Sequence, residues 1–181
     1  MTIVQPRLTY VDLVDLPDDG KRYELLEGEL IVSPAPTPKH QQAAGRTFRF
    51  LGQAEDAGYG RAYVAPLYVV FDDDDVTEPD VLFIRQERLG IVTESEVRGA
   101  PDLVVEVLSP STRKRDLRVK AQTYAKYRVP FYWVIDPEAQ TVQVYELGPH
   151  GYTPQPPLRA GQTLSCPFFP DITTDVGWLF Q

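Results

Sequence analysis

The period of hydrophobic and polar positions changes several times along the chain, and each change marks an element. Thr9 followed by Asp12 reads as a helix start, and a short helix is predicted over 10–16, ended by Asp18-Asp19-Gly20. Tyr23-Glu24-Leu25-Leu26 and residues 29–32 are strand-like runs on either side of Glu27-Gly28, which predicts a hairpin. Thr37 before Pro38 is a helix cap with proline at the first helical position, and Ala44, Phe48 and Leu51 then recur at helical spacing. A helix is therefore expected over 38–56, with Gly58 as its stop. Residues 61–71 alternate loosely and are rich in Tyr and Val, which predicts a strand, and 72–75 form a turn. A strand over 81–84 leads into a polar excursion over 85–99.

The second half is more regular. Leu103-Val104-Val105-Glu106-Val107-Leu108 is almost continuously apolar, as in a strand covered on both faces. Ser109-Pro110-Ser111-Thr112 supplies cap residues for a helix reaching to about 128, where Val129-Pro130 breaks it. Residues 131–135 form a further strand, and 141–147 return as its hairpin partner after Asp136-Pro137-Glu138. A Pro-rich, aromatic tail is expected to hold an edge strand. Strand, helix and strand over 102–135 make one βαβ-like unit with parallel, right-handed packing. The remaining pairings read as antiparallel, giving an α/β sandwich with a mixed central sheet. Nothing in the chain repeats, and no linker divides it, so 1–181 is expected to be one domain.

Composition narrows the class. With 181 residues and 43% apolar content, the chain can bury a core without metal or disulfide staples. A single cysteine, Cys166, excludes an internal disulfide and a cysteine-based zinc site, and its apolar surroundings suggest a buried structural thiol. The N-terminus lacks a signal-peptide pattern and no apolar run is long enough to span a bilayer, so a cytoplasmic protein without membrane association is expected. The net charge of −8 argues against a non-specific nucleic-acid coat protein. It leaves room for a nuclease, because catalytic carboxylates are themselves acidic and basic residues can be local. Arg113, Lys114, Arg115, Arg118 and Lys120 form such a local cluster.

Glu106 is the most informative residue, the only charge in a buried strand. An ionised carboxylate there costs several kcal/mol unless it is paired or binds a metal, so the choice is a structural salt bridge or a catalytic or metal-binding role. Asp80, at the start of another short strand, gains meaning beside it. Two carboxylates at the ends of neighbouring strands can hold one hard cation, with waters and a phosphate oxygen completing its shell. Asp116, Lys120 and Tyr124 are spaced by four and share a helix face. Lys120 either reaches that site or pairs with Asp116 on a solvated surface. Glu24 is either an extra site carboxylate or an exposed hairpin residue, and His40 either contacts phosphate or caps and packs. Asp72 to Asp75 read as a solvated turn, His150 as a turn residue, and Asp102 as a turn residue or a partner of the site.

Taken together, Tyr23-Glu24-Leu25-Leu26-Glu27-Gly28-Glu29, Ser33-Pro34 with His40, Glu78-Pro79-Asp80, the stretch from Pro101 to Thr112, then Asp116, Lys120, Tyr124 and the stretch from Val129 to Pro137 resemble the PD-(D/E)XK nuclease superfamily. More narrowly, they are similar to the Uma-two family of restriction-endonuclease-like proteins, over nearly the whole chain. The resemblance implies a restriction-endonuclease-like sandwich, preceded by an N-terminal helix and β-hairpin. It implies that Asp80 and Glu106 bind Mg²⁺ or Mn²⁺ with the Val107 carbonyl, and that Lys120 replaces the lysine usually found where Leu108 stands. The expected activity is metal-dependent hydrolysis of phosphodiester bonds in DNA, with Arg113, Lys114, Arg115 and Arg118 on the DNA backbone and a homodimer supplying two sites. The rival readings are a catalytically inactive nuclease-fold binding module and a metal-dependent hydrolase of RNA or nucleotides.

Overall fold

The computed structural model describes residues 7–181. Its elements in chain order are α1 (Tyr10–Val14), β1 (Arg22–Leu26), β2 (Glu29–Ser33), α2 (Pro38–Asp56), β3 (Gly60–Val64), β4 (Val69–Val70), β5 (Val76–Thr77), β6 (Val81–Arg85), β7 (Val97–Arg98) and β8 (Leu103–Val107). There follow α3 (Arg113–Arg115), a π-helical turn (Asp116–Lys120), α4 (Ala121–Lys126), β9 (Phe131–Asp136), β10 (Thr141–Gly148), β11 (Gly151–Pro154), β12 (Thr163–Leu164) and β13 (Thr174–Asp175). The main sheet has six strands in the order β11-β10-β9-β8-β6-β3, and a second has five in the order β2-β1-β5-β4-β7. Within the main sheet only β8 and β9 are parallel, as the strand–helix–strand reading required. The mixed α/β sandwich, with its N-terminal helix and hairpin, is the architecture found.

The alternation of β8 builds both layers. Leu103, Val105 and Val107 pack in a core with Phe50 and Leu51 of α2, Trp133 of β9 and Phe169 of the tail. Val104 and Leu108 face the opposite side and pack with Tyr124, Val129, Tyr132 and Val134. Glu106 has the parity of Val104, so it points toward the helix that follows β8. Val81 of β6 pairs with Val105 of β8 in an antiparallel ladder. Continuing that register by one residue brings Asp80 opposite Glu106.

Two elements differ from the sequence pattern. The strand expected over 61–71 is two strands, β3 in the main sheet and β4 in the second. Pro66 lies between them, and a proline has no N–H for a ladder. The helix expected to run to 128 contains the π-helical turn. There the Tyr132 hydroxyl donates to the Asp116 carbonyl at 2.9 Å, so a side chain takes up a helical acceptor. The polar excursion over 85–99 is also more ordered than expected, holding a 3₁₀ turn (Gln86–Ile91) and β7. No helix among the described residues is long and apolar enough to cross a membrane.

Candidate metal centre

Asp80 sits just before β6 and is buried. Its Oδ2 accepts the Val107 backbone N–H at 2.7 Å and lies 3.1 Å from His40 Nε2. Its Oδ1 accepts from Arg22 at 2.7 Å. Burial alone would raise this carboxyl's pKa. His40, Arg22 and the Val107 amide outweigh it and bring the pKa down to about 2. Asp80 is therefore a fixed anion at neutral pH.

Glu106 is equally buried, but its balance is the opposite. Its Oε1 accepts from Lys120 Nζ at 2.8 Å and from the Tyr124 hydroxyl at 2.6 Å. Lys120, 2% exposed, also lies 2.8 Å from Glu24 Oε1 and 4.0 Å from Asp116 Oδ1. Burial pushes Glu106 up to about 8, with Asp80, Asp116 and Glu24 adding to the shift against the pull of Lys120. For Lys120, burial opposes the charge, but Glu106, Glu24 and Asp116 outweigh it and hold the ammonium above its ordinary range. The two shifts share a direction but not a leading cause: burial raises Glu106, whereas the surrounding carboxylates raise Lys120 against burial.

This is an oxygen-rich set that could hold a hard divalent cation, although among the described residues the one trio with ligand oxygens all within 4.8 Å of one another is Asp72, Asp74 and Asp75. Carboxylates of Glu24, Glu78, Asp80, Glu106 and Asp116 surround Arg22 and Lys120, with His40 alongside. Burial likewise pushes Glu78 and Asp116 above the usual carboxylate range. Glu24 Oε2 and Asp116 Oδ1 are buried with no hydrogen-bond partner. Oxygen donors in excess of cations, with unsatisfied acceptors, are what Mg²⁺ or Mn²⁺ would complete.

The structure thus brings together Asp80, Glu106 and Lys120, and gathers Glu24, His40, Asp116 and Tyr124 around them. Lys120 is not a surface partner of Asp116, and Glu24 is not an exposed hairpin residue. Of the basic run, Arg113, Lys114 and Arg118 are exposed, although Arg113 also pairs with Asp136 at 2.5 Å, and half-buried Arg115 bonds Ser33 at 2.7 Å. Asp102 is buried and takes Arg85 and Arg88 at 2.8 Å, a structural ion pair. Cys166 is a buried free thiol, as its surroundings suggested.

Two further points were not visible in the pattern. Asp72, Asp74 and Asp75 offer carboxylate oxygens within 4.8 Å of one another, but Asp75 is buried rather than solvated, paired with Lys126 at 2.7 Å and accepting from Glu27 N–H. Arg22 was missed altogether. It bridges Asp80 and, at 3.0 Å, Glu78. The available signal was its two-residue spacing from Glu24 on one strand, which puts both side chains on one face.

A restriction-endonuclease-like α/β fold with a buried Asp–Glu–Lys cluster at the junction of β6, β8 and the following helix defines the class. A model of the Uma2 family, described as "Putative restriction endonuclease", matches residues 10–177, and the chain belongs to that family. Among solved structures it is similar to a protein from Anabaena variabilis described as a "putative nuclease belonging to DUF820". That likeness has 23% identity and a TM-score of 0.80, over 96% of this chain and 97% of the other, and speaks to the fold. No curated protein matches the chain.

Proposed function

We propose that the chain is a metal-dependent endonuclease that hydrolyses phosphodiester bonds in DNA. The observation that carries this reading is Lys120, buried between Glu106 and Glu24 beside the ionised Asp80, in a cluster with surplus negative charge. Asp80 and Glu106, with the Val107 carbonyl, would hold Mg²⁺ or Mn²⁺. When bound, the ion would polarise the scissile phosphate and lower the pKa of a water. Lys120 holds a proton at the Glu106 carboxylate and offers its charge to the phosphate as negative charge develops there. Tyr124 fixes the Glu106 oxygen, and Arg22 and His40 fix both oxygens of Asp80. Arg113, Lys114 and Arg118, with the half-buried Arg115, supply backbone contacts that carry no sequence information. Cutting both strands requires two such sites, so a homodimer belongs to this reading.

A non-cleaving nucleic-acid-binding module is the second reading. Its support is that Arg22 and Lys120 already act as internal cations on the two central carboxylates. Incubating wild type and Asp80→Ala with plasmid, single-stranded DNA and RNA, each with Mg²⁺ or Mn²⁺, separates the two. Cleavage by wild type alone supports the nuclease, and its substrate names the nucleic acid. Equal inertness of both proteins on every substrate, with binding retained, leaves the module.

A further inference from the structure

β2 is an outer strand of the second sheet, and its free edge carries none of the features that keep strand edges apart. It runs for five residues, Glu29-Leu30-Ile31-Val32-Ser33, without proline or lysine, and Leu30 and Val32 are 36% and 47% exposed. The other outer strands of the two large sheets are guarded. On β3 the Ala62 N–H donates to the Glu55 carboxylate at 3.0 Å. β7 has two residues and is bridged by Val92. β11 ends on Pro154.

The hairpin fixes which backbone groups of β2 face outward. Glu27 and Gly28 both have positive φ, the two-residue turn in which the flanking pair, Leu26 and Glu29, exchanges hydrogen bonds. The alternation then directs the N–H and C=O of Ile31 and Ser33 to β1, and those of Leu30 and Val32 to the open edge. Among the described residues no backbone bond from another element reaches Leu30 or Val32. The turn itself is anchored, because the Gly28 N–H donates to the Asp74 carbonyl and the Glu27 N–H to the Asp75 carboxylate, both at 2.8 Å. A held strand thus offers two donors and two acceptors at alternate positions.

We propose that β2 pairs antiparallel with β2 of a second copy about a two-fold axis at Ile31, joining two five-stranded sheets into one. In this register Leu30 of each copy faces Val32 of the other, which gives four backbone bonds and packs the exposed side chains in pairs. The neighbouring registers fail. One sets Leu30 against Pro34, which has no N–H, and the other sets Val32 against Gly28, whose N–H and C=O are already bonded to Asp74 and Leu8. Charge agrees with the choice. Glu29 comes opposite Ser33 of the second copy, whose hydroxyl accepts from that copy's Arg115 at 2.7 Å. Glu29 is exposed and Arg115 half-buried, and neither forms an ion pair among the described residues. The pairing brings these opposite charges together twice, in a chain whose net charge of −8 otherwise opposes association. Glu24 lies directly across β1 from Ile31, so the two Glu24 residues stand three strand spacings apart, about 14 Å, on one face of the joined sheet. Two metal centres on one side could then serve a single duplex, a use that rests on the nuclease reading, whereas the interface does not.

The test uses the full chain in sedimentation velocity and in cross-linking. Wild type should sediment at twice its 20.5 kDa mass, with Kd on the order of 10 μM. Val32→Pro removes an outward N–H on an edge, where proline is tolerated. It should weaken dimerisation at least about tenfold and leave the circular dichroism spectrum unchanged. Glu29→Arg should weaken it about tenfold, and adding Arg115→Glu to that variant should restore it. Ile31→Cys, at the axis, should form an intermolecular disulfide under mild oxidation, because a non-hydrogen-bonded pair there has Cα atoms about 4.5 Å apart. Glu29→Cys should not cross-link, and the native Cys166 is buried. Wild type that stays monomeric at about 100 μM gives the edge to another occupant and overturns the proposal. So does a dimer that withstands both Val32→Pro and Glu29→Arg, or one that cross-links through Glu29→Cys rather than Ile31→Cys. A dimer with the Ile31→Cys cross-link that cleaves no nucleic acid keeps the interface and removes the nuclease reading. A monomer that nicks DNA removes the interface and leaves the nuclease.

Discussion

Replacing Lys120 with methionine keeps the long apolar stem and deletes the one ammonium between Glu106 and Glu24. Its consequences depend on pH in a definite way. Glu106 has a folded-state pKa raised to about 8 from an ordinary value of 4.5. A raised carboxyl binds its proton more tightly in the fold, so its favourable contribution is complete below about 4.5 and is lost as pH rises through 8. In wild type that decline ends above 8, because the ionised carboxylate then has Lys120 at 2.8 Å. The variant lacks the cation, its Glu106 pKa moves higher, and its decline continues. At pH 6, where Glu106 is neutral in both proteins, the loss should be the Lys120 hydrogen bonds, its contact with Glu24 and its packing, about 1–3 kcal/mol. Above pH 8 the gap should widen by about 1.4 kcal/mol per pH unit. By pH 9.5 it should reach about 3–5 kcal/mol, the usual cost of breaking a buried pair. Urea unfolding of both proteins at pH 6 and 9.5 measures this. A gap that stays constant or narrows with pH would refute the account of the cluster.

Other outcomes follow from the same geometry. Mn²⁺ at about 100 times its Kd should stabilise wild type by about 2.7 kcal/mol; Asp80→Asn and Glu106→Gln should show no such gain in a thermal melt. Tyr124→Phe deletes the 2.6 Å bond to Glu106 and should cost about 1.5–3 kcal/mol in urea unfolding at pH 9, where the carboxylate is charged. Gly60→Ala would place a methyl 2.1 Å from the Ile84 carbonyl oxygen across the β3–β6 ladder. Because backbone cannot yield, the variant should lose about 3 kcal/mol, lowering Tm by about 6–12 °C.

Much of this architecture is legible before any coordinates. The α2 boundaries follow from a Thr37-Pro38 cap and a helical repeat, and β8 and β9 follow from short apolar runs of the right length. Glu106 stands out because a lone charge in such a run demands a partner. What escapes is long-range. The spacing of Arg22 from Glu24 puts the two on one strand face, but it does not say that the guanidinium will cross to Asp80, 58 residues away. For Glu24 the sequence leaves a site carboxylate and an exposed hairpin residue equally open, and only the contact of β1 with Lys120 decides for the site. The π-helical turn coincides with Tyr132 reaching the Asp116 carbonyl, a contact between elements that no local pattern encodes. The basic run is misleading for the complementary reason: composition counts its charges, while the fold spends Arg113 on Asp136 and Arg115 on Ser33.

The central claim is that Asp80 and Glu106 form one metal site that cleaves a phosphodiester. The most direct measurement is nicking of supercoiled plasmid by wild type, Asp80→Asn and Glu106→Gln, each with Mn²⁺ and with EDTA. The account predicts nicking by wild type with Mn²⁺ only, reduced at least about a hundredfold in both variants. Nicking that persists in EDTA, or that survives either substitution, would contradict it.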